Sequence, residues 1–217
     1  MSSETPGPPP AGFLRRGFLV VVSGPSGVGK TSFCSHLLET RTDTVRSISA
    51  TTRQPGEGER DGRDYAFLER AEFERRVAAG EFLEHAEVHG HLYGTPRRFV
   101  EESIAAGKVV LLNIDVQGGL QVKARHPDGV FIIVYPPSLE ALRMRLESRR
   151  REDGTDIERR LTNAPGEMQH YKYYDYVVVN EDLPAALAQV SAIVQAERAR
   201  VTRLAPIGPK SAVGHGA

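Results

Sequence analysis

Eight residues near the start of the chain have the types and spacing of a phosphate-binding loop. The segment Gly24-Pro25-Ser26-Gly27-Val28-Gly29-Lys30-Thr31 matches the pattern G-x-x-x-x-G-K-[ST] at every fixed position. Glycines let successive backbone N–H groups turn towards a polyphosphate without Cβ clashes. Lys30 can supply a full positive charge to the β- and γ-phosphates, and the Thr31 hydroxyl can ligate Mg²⁺. The segment therefore predicts a binding site for a nucleoside triphosphate and its magnesium ion.

The segments on either side of this loop support the same prediction. An apolar run over 18–23 predicts a strand that ends at the loop, and the residues after the loop predict a helix over 30–40. The positive end of that helix dipole would point at the phosphates. An ordinary glycine-rich turn is the alternative, but strand, loop and helix in this order are the context that the motif requires.

Composition and charge restrict the class of protein. The chain has 217 residues, with 28 acidic and 28 basic side chains and a formal net charge of zero, which suits one domain with a sizeable core. This balance disfavours a generic nucleic-acid-binding surface. Cys34 is the single cysteine, so an internal disulfide is excluded and a small buried residue is expected. No apolar run approaches the roughly 18 residues of a membrane span and no signal-like core is found, so we expect a cytoplasmic protein without membrane contact.

Strand-like and helix-like segments alternate through the chain. Nearly continuous apolar runs predict parallel strands covered on both faces, at 18–23, 45–50, 108–114, 130–135 and 175–180. Helices are predicted at 30–40, 96–106, 116–125, 138–150, 157–170 and 182–200. The alternation predicts an α/β fold, a parallel sheet flanked by helices, with ligands beyond the carboxyl ends of the strands.

One polar, charged and glycine-rich segment interrupts this alternation. Residues 51–94 contain only short strand-like pieces, at 64–67 and 81–85. An insertion of this length in an α/β domain is more often a substrate-binding subdomain than a passive loop. The ends of the chain are rich in Pro, Gly and Ser, which predicts a disordered leader over 1–16, a folded domain over 17–204 and a flexible tail over 205–217.

Several motifs in this sequence resemble those of the guanylate kinase family. Besides the loop they are Ser49-Ala50-Thr51-Thr52-Arg53-Gln54-Pro55, Gly58-Glu59, Gly62, Asp64-Tyr65, Tyr93-Gly94-Thr95, Ile114-Asp115-Val116-Gln117-Gly118, the arginine-rich segment 145–160 and Asp175-Tyr176-Val177-Val178-Val179-Asn180. The resemblance runs from about Phe18 to Arg200. It implies a P-loop NTPase core with a GMP-binding insertion at about 49–95 and a lid at about 149–160. The implied reaction is transfer of the ATP γ-phosphoryl group to GMP, and also to dGMP, with Mg²⁺.

The resemblance implies that the insertion binds the acceptor phosphate. The residues that match the family's positions around the GMP phosphate are Ser49, Arg53, Tyr65 and Tyr93. Arginine offers a fork of donors that suits a dianionic group, and the hydroxyls add neutral donors.

Three further residues match the family's guanine site. Glu84 matches the carboxylate that accepts from the guanine N1–H and exocyclic amine, where adenine has no donors. Thr95 matches the hydroxyl that reaches the O6 edge, and Asp115 matches an acidic position near guanine N2 and the magnesium shell. Alone, Glu84 would be interpreted as a solvated carboxylate on an edge strand. Its register with Tyr93 and Thr95 favours the guanine site.

The catalytic set implied by the resemblance is rich in arginine. Its members are Lys30, Arg53, Arg145, Arg149 and Arg160, of which the last three match the family's lid arginines. Positioned guanidinium groups stabilise the charge on a transferring phosphoryl group, and an acceptor that is already anionic needs no strong general base. Asn180 matches a position near the ATP base, and Thr31 and Asp115 are the candidate magnesium ligands.

Two positions depart from the family pattern. Gly56 stands where the family has a second phosphate-binding arginine, and Arg60 or Arg63 could replace it. Asn113 stands where the family usually has a carboxylate, two residues before Asp115, and an amide adds no negative charge to a magnesium shell. These departures leave two alternatives open beside the kinase, namely a non-catalytic module that binds protein ligands and a kinase of another small phosphorylated acceptor.

Overall fold

Helices and strands alternate along the chain as the sequence predicts. The computed structural model describes residues 13–56, 58–88, 90–148 and 154–206. The strands are β1 Phe13–Arg15, β2 Phe18–Ser23, β3 Thr44–Arg46, β4 Ala50–Thr51, β5 Ala66–Phe67, β6 Phe82–Val88, β7 His91–Pro96, β8 Val109–Asn113, β9 Val130–Tyr135, β10 Tyr176–Val179 and β11 Leu204–Pro206. The helices are α1 Lys30–Thr40, α2 Arg70–Ala78, α3 Arg97–Ala105, α4 Val116–Arg125, α5 Leu139–Glu147, α6 Gly154–Met168 and α7 Leu183–Arg198.

The largest sheet has five parallel strands in the order β10-β9-β2-β8-β3. The predicted α/β fold with a parallel sheet flanked by helices is therefore confirmed. The strand before the phosphate-binding loop, β2, lies at the centre, with β8 on one side and β9 on the other. The chain moves outward from β2 to the edge strand β3 and later crosses over to β9. Such a reversal of strand order leaves a crevice at the carboxyl ends, where α/β proteins bind ligands.

The hydrophobic core lies on both faces of this sheet, and all six residues of β2 are therefore buried. Val20 and Val22 pack into a cluster that includes Phe33 of α1 and Val190 of α7. The intervening residues of β2 face the opposite cluster, with Val100 of α3 and Val122 of α4. Alternation along one strand thus attaches helices to both faces, as expected for a continuous apolar run. Cys34 also lies in the core, as predicted.

The insertion forms a separate small sheet of four strands in the order β5-β4-β7-β6. Its core is the stacked pair Phe73 of α2 and Phe82 of β6, with ring centroids 4.6 Å apart, together with Ala50. The strand predicted over 45–50 is divided in the structure. β3 ends at Arg46 in the parallel sheet, and β4 begins at Ala50 in the small sheet. This division marks the point where the chain leaves the core for the insertion.

The ends of the described chain pair with each other. β1 and β11 form a two-stranded antiparallel sheet, although they overlap the segments assigned to the leader and the tail. Strands of three residues are too short to leave a periodic pattern in the sequence. The rest of the expected leader, 1–12, and of the tail, 207–217, lies outside the described residues, as does 149–153 of the expected lid. Among the helices of the described residues, none is long and apolar enough to cross a membrane.

Candidate active site

The phosphate-binding loop connects β2 to α1 and requires glycine at two points of close approach. Gly24 has φ +136°, and a Cβ atom there would lie 2.3 Å from the carbonyl oxygen of Val134 on β9. Gly29 has φ +107°, and its Cβ atom would lie 2.7 Å from Nδ2 of Asn180. Any other residue would strain the backbone and collide with these neighbours. The loop therefore follows a tight path against the ends of the central strands.

Lys30 extends back over this loop from the first position of α1. Its ammonium group donates to the carbonyl oxygens of Gly24 at 2.6 Å and Pro25 at 3.0 Å. No side chain caps the start of α1 at Gly29. The positive end of the helix dipole therefore lies at this loop, where it favours an anion. The predicted triphosphate-binding residues Gly24 to Thr31 come together as one cradle.

The position next to Thr31 is occupied by an amide. Asn113, at the end of β8, donates from Nδ2 to the Thr31 hydroxyl at 3.4 Å. Asp115 lies two residues further on and caps α4, accepting from the Gly118 N–H at 2.7 Å. Ser23 donates to the Asp115 carbonyl oxygen at 3.2 Å, which ties the cap to the end of β2. Of the two candidate magnesium ligands, Thr31 therefore lies in the first turn of α1, beside the end of β8, and Asp115 lies just after β8 at the start of α4.

Most of the predicted phosphate-binding residues of the insertion also come together. Arg53 donates from Nη2 to both carboxylate oxygens of Glu59, at 3.0 and 2.9 Å. Its guanidinium carbon lies 5.5 Å from the centroid of the Tyr65 ring, which meets Tyr93 edge-on at 5.9 Å. The Ser49 carbonyl accepts from Ala66, the residue after Tyr65, at 2.9 Å. Arg53, Tyr65 and Tyr93 thus form one cluster, and the backbone of Ser49 borders it.

Glu59 is a residue of this cluster that the sequence reasoning did not assign. It also accepts from the Gly56 N–H at 2.7 Å, so it lies beside the position where the family has its second arginine. A signal was present, because Glu59 is part of the Gly58-Glu59 motif that carried the resemblance. Of the two proposed replacements for that arginine, Arg63 is paired with Asp64 at 2.8 Å.

Glu84 is buried in the small sheet, where it faces Thr95 across the β6–β7 pair. Only 3% of Glu84 is exposed, and its Oε1 accepts from the Thr95 hydroxyl at 2.5 Å. A Cβ atom on Gly118 would lie 2.8 Å from Glu84 Oε2 and 3.5 Å from Asp115 Oδ1. The first turn of α4 therefore approaches both carboxylates, and the three residues predicted for guanine lie around one point.

The surroundings of Glu84 disfavour its ionised form. Burial, together with the nearby negative charge of Asp115, raises the pKa of the Glu84 carboxyl to about 7. The hydrogen bonds from Thr95 and the positive charge of Arg125 oppose this shift. A buried carboxylate is costly unless donors satisfy it, so this group is suited to a ligand that brings donors of its own.

Both predicted lid arginines within the described residues contact residues that are predicted to bind ATP. Arg160 of α6 donates from Nη1 to the hydroxyl of Ser26, inside the phosphate-binding loop, at 2.5 Å. Arg145 of α5 donates from Nη2 to the carbonyl oxygen of Asn180 at 2.7 Å, and its Nη1 is buried without a hydrogen-bond partner among the described residues. Arg149 lies outside the described residues. Contact of these guanidinium groups with transferring phosphates stays a prediction.

Asn180 is hydrogen-bonded to the phosphate-binding loop. It is 4% exposed and donates from Nδ2 to the Val28 carbonyl at 2.8 Å. Its Oδ1 is buried and has no hydrogen-bond partner in the described part of the chain. The contact of Asn180 with the loop is observed, whereas its contact with the adenine edge stays a prediction.

These features together indicate a class of protein. A loop of this motif at the end of the central strand of a parallel sheet is typical of P-loop nucleotide-binding proteins, and beside it lies a small sheet with an arginine cluster and a buried carboxylate. The family model described as "Guanylate kinase" matches residues 16–197. The chain belongs to the guanylate kinase family.

Individual relatives agree with this assignment. The chain is 50% identical over 188 residues to a guanylate kinase of Thermotoga maritima, covering 87% of this chain and 91% of that protein. It is 49% identical over 188 residues to one of Symbiobacterium thermophilum, covering 87% and 89%. Among solved structures, the guanylate kinase from Anaplasma phagocytophilum superposes with a TM-score of 0.76 at 37% identity, covering 88% of this chain and 92% of that one.

Proposed function

We propose that this protein transfers the γ-phosphoryl group of ATP to GMP or dGMP, which gives ADP and GDP or dGDP in purine nucleotide metabolism. The observation that carries the proposal is the buried carboxyl of Glu84, held by Thr95 in the small sheet. Guanine brings two donors, N1–H and the exocyclic amine, whereas adenine presents none at these positions. A buried carboxylate left without donors would be strongly disfavoured, so this site selects guanine over adenine.

The donor side of the reaction uses the loop from Gly24 to Thr31. Lys30 now bonds to loop carbonyls 2.6 and 3.0 Å away, and it can exchange these for the β- and γ-phosphates of ATP with a small rotation of its flexible stem. Arg160 of α6 contacts Ser26 of the same loop, and Arg145 of α5 contacts Asn180, which itself bonds to the loop at Val28. Their guanidinium groups stabilise charge on the transferring phosphoryl group, because positioned cations need little reorganisation.

The acceptor side binds the GMP phosphate at the cluster of Arg53, Tyr65 and Tyr93. Arg53 is ion-paired with Glu59 at 2.9 Å, which orients the guanidinium plane before any ligand binds. Donors of Arg53 that face away from Glu59, together with the two phenol groups, supply hydrogen bonds to the phosphate. The phosphate of GMP is already anionic at neutral pH and attacks without a strong general base, so orientation carries much of the rate acceleration.

The residues present fit a magnesium ion held mainly by phosphates and water. Mg²⁺ usually takes one or two side-chain oxygens besides substrate phosphates, and no cluster of three His, Cys, Asp or Glu side chains occurs within the described residues. Thr31 would be a direct ligand, and Asn113 and Asp115 would accept hydrogen bonds from bound water. When bound, the ion neutralises charge on the β- and γ-phosphates. A cytoplasmic location is part of the proposal, since ATP and GMP are available there.

The proposal is tested by a coupled ADP-release assay with ATP and Mg²⁺. GMP, dGMP, AMP, CMP and UMP are compared as acceptors, and we expect turnover with the two guanine nucleotides in large excess over the others. Glu84→Gln is the specificity variant, and Glu87→Gln, on the same strand, is its matched control. Equal turnover of GMP and AMP would contradict the guanine assignment. Binding of ATP and GMP without turnover would contradict the kinase assignment.

A further inference from the structure

The strand that carries Glu84 lies at an edge of the small sheet. β6 pairs antiparallel with β7, and within the described residues no strand lies on its other side. On an edge strand, alternate residues direct their N–H and C=O groups away from the sheet, and these groups need other partners. On β6 such groups belong to Leu83 and His85, the residues on either side of Glu84. Their partners are side chains of α4.

Gln121 of α4 satisfies both backbone groups of His85. Its Nε2 donates to the His85 carbonyl oxygen at 2.9 Å, and its Oε1 lies 3.4 Å from the His85 nitrogen as acceptor. Arg125, one turn later, donates from Nη1 to the carbonyl oxygen of Leu83. The side-chain amide therefore takes the place of a neighbouring strand. Together the two side chains attach β6 to α4 immediately before and immediately after Glu84.

The same face of α4 also reaches Glu84 itself. Gly118, Gln121 and Arg125 are spaced i, i+3 and i+7, so they lie along one side of the helix. A Cβ atom on Gly118 would be 2.8 Å from Glu84 Oε2, which places helix backbone directly against the carboxylate. Because Asp115 caps this helix, α4 links the guanine-binding strand to the end of the central sheet.

Two parallel hydrogen bonds from guanine require the carboxylate plane of Glu84 to be fixed. Thr95 bonds to the Glu84 carboxyl through its hydroxyl, which donates to Oε1, and through its backbone, so both bonds come from a single residue of β7. The orientation of the Glu84 carboxylate also depends on the position of the β6 backbone against α4. A shift of the edge strand by a fraction of an ångström would misalign one of the two guanine donors.

We propose that Gln121, assisted by Arg125, is a positioning residue for guanine recognition: by pairing with the β6 backbone it fixes the orientation of Glu84 without touching the base. This inference rests on the proposed function, since guanine is its ligand. According to this inference, α4 contributes to discrimination between guanine and hypoxanthine. Hypoxanthine, the base of IMP, retains N1–H but lacks the exocyclic amine. An IMP acceptor needs only one aligned bond and is less sensitive to the carboxylate plane.

The test is Gln121→Met, which keeps the length and packing of the side chain and removes its hydrogen bonds. We expect the KM for GMP to rise about tenfold, with the KM for ATP unchanged. The ratio of kcat/KM for GMP to that for IMP should fall roughly tenfold, because the second hydrogen bond is what GMP loses. Gln189→Met, at an exposed position of α7, is the matched control and should leave both values unchanged.

A second pair of variants keeps the inference testable if Gln121→Met folds poorly. Arg125→Met should lower the GMP-to-IMP ratio in the same direction, and Arg125→Lys, which still has a donor for the Leu83 carbonyl, should restore it. A Gln121→Met enzyme that loses thermal stability but keeps the wild-type GMP-to-IMP ratio would overturn the inference, since its role would then be structural. Failure of the wild-type enzyme to phosphorylate GMP would instead overturn the proposed function.

Discussion

Asn113 donates its side-chain amide to the Thr31 hydroxyl at 3.4 Å, at the strand end where the family usually has a carboxylate. An amide in this place adds no negative charge, and in the observed orientation it turns a donor, not an acceptor, towards the candidate magnesium ligand. The pairing shows that position 113 contacts the P-loop, which the sequence could only suggest.

Replacing Asn113 by Asp should therefore strengthen the use of magnesium. The carboxylate would accept from the Thr31 hydroxyl or from metal-bound water, and charge-assisted bonds are stronger than neutral ones. We expect a lower Mg²⁺ concentration at half-maximal rate and a kcat higher by roughly tenfold. The measurement is kcat across a magnesium titration at saturating ATP and GMP. Asn163→Asp, an exposed change of equal charge on α6, is the control, and an unchanged magnesium curve for Asn113→Asp would exclude the position from the metal site.

Gly56→Arg should tighten the acceptor site. A side chain at position 56 begins beside the Arg53–Glu59 pair, because an added Cβ lies 3.1 Å from Glu59 Oε2 and 3.6 Å from Arg53 Nη1. One more charged donor to the phosphate should lower the KM for GMP roughly 10- to 100-fold, with little change in the KM for ATP.

Gly56→Ala separates the effect of the guanidinium group from that of the added Cβ, and it should not lower the KM for GMP. If Gly56→Arg leaves the KM for GMP at its wild-type value, another arginine already fills that role. Arg60 is then the first residue to test, because Arg63 is engaged by Asp64.

The pH dependence of GMP use should report the ionisation of Glu84. Its raised pKa of about 7 leaves the carboxyl largely protonated at pH 6, where it offers a hydrogen that opposes guanine N1–H. Because the ionised form is the one proposed to accept from guanine, ionisation of Glu84 should raise kcat/KM for GMP roughly tenfold between pH 6 and pH 8, beyond any rise caused by the GMP phosphate itself. The neighbouring groups that set this pKa are Asp115, Thr95 and Arg125.

The control for this profile is Glu84→Gln, which cannot ionise. The second ionisation of the GMP phosphate, near pH 6, affects both enzymes and should leave only about a twofold rise in the variant. A wild-type profile as flat as that of Glu84→Gln would show that the buried carboxyl is already ionised at pH 6.

Gly119→Ala should destabilise the fold at the junction of α4 and β2. Its Cβ atom would lie 2.3 Å from the Tyr174 hydroxyl and 2.9 Å from Ser23 Oγ, so the cost of overpacking should be about 1–3 kcal/mol in the free energy of unfolding. Urea denaturation measures this value. The double change Gly119→Ala with Tyr174→Phe removes the closest atom and should recover most of the loss. A double variant no more stable than Gly119→Ala would exclude Tyr174 as the obstacle.

Part of the fold was predictable because its signals are local. The phosphate-binding loop depends on glycines and a lysine within eight residues, and β2, β8 and β9 are continuous apolar runs, so these elements were found within one residue of their bounds. The helix α2 was missed for a physical reason. It is strongly polar, with Phe73 as its single buried residue, and ion pairs such as Arg70–Glu74 on its exposed face leave no apolar stripe to detect.

The types of the site residues can thus largely be identified from the sequence, whereas the alignment of their side chains depends on contacts between residues that are distant in the chain. The sequence alone predicts that Gly24 to Thr31 bind phosphates and that Glu84 and Thr95 belong to the acceptor site. Only the tertiary structure decided that Gln121 pairs with His85, 36 residues away, and that Glu59 holds Arg53. A motif indicates which groups can react because the chemistry of a side chain belongs to that residue alone. The partner of an edge-strand N–H group, in contrast, depends on which element packs against the strand.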